Sequence, residues 1–435
     1  MDINLTTMQV LALSVTGMCH ALLGSIKVPL ARQLNINEAR MGGLVSVFGF
    51  TLIPMAFAAG VFADKFGPQS VVAGGLVLLI LSVIVLAHLK SYRMAVVSVL
   101  LLGTGWSAAV NVLNATQGPA FLPLDEIATR LSFAMNLGDF VFGMGAFLMP
   151  IGIAYCLRRL GLRRTFLTFA GLIALPLVLT FAVDWGRIAP PAAATSDLTF
   201  ADLLSDKLVL VCCFAFFFHV PVEASVAAWA TTLMMDSGAS EKRASYMLSA
   251  FWLSFTVSRL IAALGIPVGT DHTVLIGMAV ALVVVLLALM RSTTERMTGF
   301  LVVAAGLILG PIFPILIAQL VGHVDPTLTG RAIGLFFCIG GIGWAVIPLL
   351  VGRMASRSSV KKSFSLIAIC ASCLLVLTIV LSQLESSTAE KKDEAPAKPL
   401  KQAQVTTPMT PAVRIDGNWT RSVEEREQRS NEDRG

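Results

Sequence analysis

Apolar runs long enough to cross a bilayer recur along nearly the whole chain, and they leave few folds open. A spanning helix needs about 20 mostly apolar residues. Such runs lie at about 8–30, 41–63, 70–89, 94–115, 130–156, 164–183, 207–232, 243–265, 270–290, 297–321, 330–352 and 363–382. A backbone in lipid must satisfy its own hydrogen bonds, so each run is expected to be a helix. Barrel strands would be about 10 residues long and alternating, unlike these unbroken runs. The expectation is an all-α membrane protein of about twelve transmembrane helices.

Composition agrees. Of 435 residues, 56% are apolar and 13% charged, too few polar groups to cover a soluble protein of this length. The net charge of +6 is spread along the chain, with no basic patch for nucleic acid. Met1–Thr7 carries no Lys or Arg, so the first run is read as a retained span and not as a signal peptide. The chain is expected to be an integral multi-pass protein of the plasma (inner) membrane. All seven cysteines (Cys19, Cys156, Cys212, Cys213, Cys338, Cys370, Cys373) fall inside apolar runs. They are read as small packing hydrophobes, so neither metal nor cofactor is expected.

The longest internal break, Asp184–Lys207, contains Ala189-Pro190-Pro191-Ala192 and divides the spans six and six. The expected organisation is an N-terminal half at 1–183, an interhalf loop at 184–206, a C-terminal half at 207–382 and a disordered polar tail at 383–435. The halves echo each other. Gly118-Pro119-Ala120-Phe121 matches Gly310-Pro311-Ile312-Phe313, Ser46-Val47-Phe48 matches Ser249-Ala250-Phe251, and the spans opening at Arg130 and Arg331 close at Pro150 and Pro348. Parallel repeats about an axis along the membrane normal are a transporter plan, with the solute between the two pseudo-symmetric halves.

Orientation stays open. With an inward N-terminus the cytoplasmic ends hold about five Lys and Arg and the other side about sixteen, including Arg158, Arg159, Arg163 and Arg164. The positive-inside rule therefore favours an outward N-terminus, while the motif below favours the reverse.

Gly60-Val61-Phe62-Ala63-Asp64-Lys65-Phe66-Gly67-Pro68 closes the second span. It resembles the loop signature of the major facilitator superfamily, G-x-x-x-D-[RK]-x-G. Glycines allow a tight turn, and a carboxylate at the membrane edge can dock on a helix N-terminus or an Arg. Gly60, Asp64, Lys65 and Gly67 are therefore candidate gating residues, with Arg331 the expected partner of Asp64. Pro221-Val222-Glu223-Ala224-Ser225 with Trp229, Phe251-Trp252 with Ser258-Arg259, Gly310-Pro311-Ile312-Phe313-Pro314, and Gly330-Arg331-Ala332-Ile333-Gly334 resemble the fucose/glucose/galactose permease branch. The resemblance covers about 8–382. It implies the major facilitator fold, alternating access, a monomer, and a gate role for Arg259. Fucose permeases carry acids in the first and fourth spans for proton coupling and sugar contact. Here Gly17–Lys27 and Gly103–Thr116 hold none. The second copy of the loop, Leu264–Gly269, keeps glycines but no Asp-Lys pair.

Ionisable groups inside spans are costly and are functional candidates by default. Glu223 lies four residues after His219, on one helix face, and is a candidate for coupling and solute contact. Asp139 is either a second coupling group or half of a buried pair with Lys27 or Arg259. Lys27 either snorkels to the headgroups or binds an anion. Asn111, Asn114 and Gln117 offer donors and acceptors suited to hydroxyls, and Gln319 is expected to face them from the other half. Trp106, Trp229, Trp252 and Trp344 either stack on a sugar ring or pack, with one or two expected to touch solute. Substrate contact is thus assigned to Asn111, Asn114, Gln117, Glu223, Trp229, Trp252 and Gln319. No cluster of His, Asp and Glu suggests an enzyme. The reading is a secondary transporter of a sugar or related polyol, coupled to a proton or sodium. The alternative is an exporter of amphipathic compounds.

Overall fold

The computed structural model describes residues 3–36, 38–187 and 200–394. The chain divides into a unit at Met1–Ala389, which holds every candidate span, and a second at Glu390–Gly435. The Ala189-Pro190-Pro191-Ala192 break and the tail beyond Glu394 lie outside the described residues, as does the side chain of Lys27.

The helices are α1 (Ile3–Leu34), α2 (Glu38–Phe66), α3 (Pro68–Ala87), α4 (Tyr92–Phe121), α5 (Ile127–Thr180), the short α6 (Phe200–Ser205), α7 (Lys207–Asp236), α8 (Glu241–Gly265), α9 (Asp271–Arg291), α10 (Glu295–His323), α11 (Thr329–Arg357) and α12 (Val360–Glu394). Among the described residues, 11 helices are long and apolar enough to span. One of them, α5, is two spans in one: Gly161 takes φ 71°, ψ 170° and breaks the helix between them. The twelve crossings expected from the sequence are therefore present, with a single glycine serving as the fifth loop. A left-handed φ is open to glycine at little cost, which is why the chain can reverse there without a longer connection.

The polar end of α12 departs from expectation. The helix runs on to Glu394, past residue 383, where a disordered tail was expected to begin. Gln, Glu, Lys and Ala are good helix formers, and an established helix needs no apolar face to extend by a few turns into water.

Among the described residues two large hydrophobic cores form, beside a small cluster of Met234, Ala239 and Ala244. One gathers Leu22, Leu76, Leu113 and Phe166 from α1, α3, α4 and α5. The other gathers Phe216, Phe251, Leu286, Leu309, Phe336 and Phe364 from α7 to α12, joined by Leu131 and Met135 of α5. Lipid is as apolar as leucine, so helices associate through close packing and interhelical polar contacts. Gly75 of α3 and Gly105 of α4 meet backbone to backbone. Phe181, Phe300 and Val178 are exposed by 69%, 69% and 68%, which suits a surface that meets acyl chains and not water.

Candidate functional site

The site is built from the loop motif inward. Gly67 takes φ 82° and Pro68 opens α3, so α2 ends abruptly and holds Asp64 in its last turn. Across the molecule α11 begins, with backbone N–H groups that no carbonyl of its own helix can satisfy. Asp64 takes them up. Its Oδ1 accepts from the Gly330 N–H at 3.0 Å, and its Oδ2 accepts from the Arg331 N–H at 3.0 Å and the Arg331 Nε–H at 2.7 Å. The carboxylate thus caps a helix N-terminus, where the dipole favours negative charge, and pairs with a guanidinium. Gly60 makes this approach possible: a Cβ there would run into the Gly330 carbonyl. Lys65 lies outside the latch, exposed, with its ammonium 5.4 Å from the Phe66 ring.

Asn111 belongs to the same latch. Its Nδ2 donates to the carbonyls of Ala56 at 3.4 Å and Gly330 at 3.2 Å, tying α4 to α2 and to the start of α11. The polar face of α4 is therefore not a wall open to solute, and that expectation is corrected. Asn111, Asn114 and Gln117 are 1%, 3% and 0% exposed. Asn114 donates to the Val110 carbonyl of its own helix, and Gln117 donates to Ala134 and Met135 of α5. A buried amide needs partners; neighbouring backbones take up the amide N–H groups, while Asn111 Oδ1 has no hydrogen-bond partner among the described residues. Gln319 does not face these residues either. It donates to Glu385 of α12, which also pairs with His272 of α9.

Deeper along the spans, α5 and α8 pair Asp139 with Arg259, and α7 pairs His219 with Glu223. Arg259 is 7% exposed and Asp139 6%. Arg259 donates through Nε to the Gly310 carbonyl at 3.1 Å and through Nη1 to the Asp139 carbonyl at 3.2 Å. Its Nη2 lies 3.7 Å from Asp139 Oδ2, and its guanidinium lies 4.5 Å from the Phe255 ring centroid. Of the two partners considered for Asp139, the described contacts are with Arg259. On α7, Glu223 Oε2 is 3.6 Å from His219 Nε2. Asp139 Oδ2 and both His219 ring nitrogens are buried without a hydrogen-bond partner. Such orphans are rare in native proteins and call for an explanation. Here they mark polar capacity held in reserve beside a carboxylate that is 25% exposed.

The tryptophans divide. Trp229 sits beside Gly352 of α11. Trp252 packs edge-on against Phe251 and Phe255 at 5.1 and 5.5 Å and remains 41% exposed. Trp344 lies on Gly49 of α2. Trp106 is held by its indole N–H donating to the Thr16 carbonyl at 3.1 Å.

Sequence reasoning passed over His20. It stands in the middle of α1 yet is exposed. Its ring centroid lies 5.4 Å from that of Trp106, 5.9 Å from Phe142 and 6.2 Å from Phe48. The signal was available: a histidine in an apolar span falls under the same default as Glu223.

The profile of the Major Facilitator Superfamily matches residues 10–348. A glucose/galactose transporter of Brucella abortus is 27% identical over 157 residues, 35% of this chain and 37% of that protein. The chain thus aligns with little more than a third of the length of its first curated relatives. The crystal structure of the E. coli fucose:proton symporter superposes with a TM-score of 0.71 at 14% identity, over 86% of this chain and 98% of that one. The human organic anion transporter TETRAN does so with a TM-score of 0.67 at 17% identity, over 87% and 99%. At such identities the two structures speak for the fold.

Proposed function

The chain belongs to the major facilitator superfamily, and from that premise we propose that it is a secondary active transporter of a small neutral solute, a sugar or related polyol, driven by cation symport. The observation that carries this reading is a pair of ionisable contacts inside the spans, Asp139 of α5 with Arg259 of α8 and His219 with the partly exposed Glu223 on α7. The names of a glucose/galactose transporter and a fucose:proton symporter among its relatives support the solute class and the coupling.

In the proposed cycle the two halves rock about these contacts. The Asp64 latch holds one face shut and must break for that face to open. Arg259 ties α8, α10 and α5 through two carbonyls and one carboxylate, so a change of charge at Asp139 or Glu223 alters what the guanidinium is asked to neutralise. A proton arriving at either carboxylate weakens its pull on Arg259. This chain has no acid in its first or fourth span, so coupling falls to Glu223 and Asp139.

A second reading, export of amphipathic compounds, is favoured by one observation. The amides of α4, expected to supply the hydroxyl contacts of a sugar site, are buried. Uptake by purified protein in liposomes separates the two. With an imposed pH or sodium gradient and a panel of radiolabelled neutral sugars and polyols, symport requires gradient-driven accumulation of at least one. Accumulation of none, together with efflux of hydrophobic dyes, would replace symport with export.

A further inference from the structure

We propose that His20 is a solute-binding side chain, taking one hydroxyl of a ring-shaped polyol that stacks on the aromatic rings around it. This rests on the sugar reading above and adds to it a contact from α1, where no sugar-binding residue was assigned from the sequence.

The geometry starts from α1. Position 20 lies mid-span, where an exposed imidazole has no headgroup or water layer to reach. Its neighbours say which way it points: Phe48 comes from α2, Trp106 from α4 and Phe142 from α5. A ring surrounded by three other helices of the same half faces inward. It is nonetheless exposed, so it lines internal space. Gly24, one turn further along the same face of α1, is exposed with nothing within 4 Å of where its Cβ would be. The space therefore continues away from the end of the molecule that Asp64 closes.

The chemistry follows from what the ring lacks. A neutral imidazole carries one donor and one acceptor. Among the described residues no hydrogen bond to either nitrogen of His20 is present, only ring contacts. Trp106 is different: its single donor is spent on the Thr16 carbonyl, which fixes the indole plane and leaves its face as apolar surface. Phe48 and Trp106 stand at 66° and 6.3 Å, Trp106 and Phe142 at 68° and 6.3 Å. Trp106 and Phe142 are half-buried and backed by the buried Phe48, and two such rings with one unspent polar handle suit a solute with a flat apolar face and hydroxyls at its edge. They offer no charge for an anion.

The box is joined to the Asp139–Arg259 pair. Phe142 stands three residues after Asp139 on α5, so the two share a helix face. Gly143, next along, packs on Thr256 of α8, one turn from Arg259. A ring held against Phe142 lies one helical turn from the Asp139–Arg259 pair. Solute binding and the charge state of that pair are thereby brought within contact of one helix.

The test is equilibrium binding of radiolabelled neutral hexoses, pentoses and hexitols to the full chain in nanodiscs, comparing wild type with His20→Ala, His20→Gln and Trp106→Phe. For any probe that binds, His20→Ala is expected to weaken affinity about tenfold, and His20→Gln, which keeps a donor and an acceptor, to recover most of it. A series of monodeoxy analogues gives a readout that a structural role would not move. One deoxy position should cost wild type affinity and cost His20→Ala nothing. Unchanged affinity in a folded, monodisperse His20→Ala overturns the assignment of His20 and leaves the sugar reading standing. Equal losses for every deoxy position in both proteins overturn it as well. Binding of no probe by wild type removes the sugar reading, and the His20 proposal with it.

Discussion

Asp64 meets Arg331 twice, at the backbone N–H (3.0 Å) and at the side-chain Nε–H (2.7 Å), and meets Gly330 once more at 3.0 Å. The two partners of the latch are therefore unequal. Removing Asp64 strands three donors and leaves a guanidinium without its carboxylate. Removing the Arg331 side chain costs one bond and leaves the helix cap in place. Asp64→Ala is expected to weaken closure of this face more than Arg331→Ala, and the double variant to resemble Asp64→Ala alone. A coupling energy of about 1–3 kcal/mol fits a contacting charged pair. Hydrogen exchange at the Gly330 and Arg331 amides reads it, and equal deprotection in the two single variants would contradict the unequal geometry.

Gly60 sets how closely α2 and α11 approach. A side chain at this position meets the Gly330 carbonyl, which is backbone and cannot step aside. Gly60→Val is expected to hold the Asp64 face open, with uptake lost and thermal stability in detergent near wild type. Exchange at Gly330 as slow as in wild type would show that the face still closes.

Asn111 separates a latch role from a solute role. Its two donors go to Ala56 and Gly330, so Asn111→Ala should loosen closure by about 1 kcal/mol. Selectivity among sugar epimers should be unaffected, because Asn111 is buried within the latch. A change in epimer preference in liposome uptake would return Asn111 to the solute site.

Arg259 and Glu223 should fail in different ways. Arg259 is buried and partnered by two carbonyls and a carboxylate. Its loss strands Asp139, and breaking a buried pair from one side costs about 3–5 kcal/mol. Arg259→Ala should fold poorly, and Asp139→Asn in the same chain should restore part of the yield. Glu223→Gln keeps shape and hydrogen-bonding capacity while removing charge. It should fold normally, lose uphill uptake and retain solute exchange. Uphill uptake with an unaltered pH dependence in that variant would exclude Glu223 from coupling.

Asp206 caps α7 by accepting from Leu208 N at 2.8 Å and Val209 N at 3.1 Å, and its other oxygen lies 2.8 Å from His323 Nε2. Burial alone would raise its pKa, but the His323 contact and the two amides outweigh it and hold the carboxyl below the ordinary value. A depressed carboxylate contributes stability above its unfolded pKa of about 4 and loses it as pH falls through the lower folded value. Its 36% side-chain exposure keeps the effect small. Between about pH 5 and 3, wild type should lose more thermal stability than Asp206→Asn. Parallel pH curves for the two would remove Asp206 from the pH response.

By itself the sequence determined the solvent and the number of crossings. Long apolar runs can meet only lipid, and lipid permits only a backbone that bonds to itself, so the twelve helices follow without knowledge of any contact. It also pointed to the Asp64 turn, since Gly60, Asp64 and Gly67 stand within one short motif and Gly67 sets the turn locally. Partner choice across the molecule was legible only in part: Arg331 for Asp64 and Arg259 as one candidate for Asp139 were expected, the contacts of α4 were not. Asn111 and Gln117 look like a sugar site because a polar side chain in a span announces only that it needs a partner. Whether the partner is a solute hydroxyl or the carbonyl of Gly330 depends on which helix lies opposite. His20 carries the converse lesson. Its neighbours Phe48, Trp106 and Phe142 sit on three other helices, at separations along the chain that encode no distance. Only the packing of α1, α2, α4 and α5 decided that this imidazole is exposed while Asn111 and Asn114 are buried.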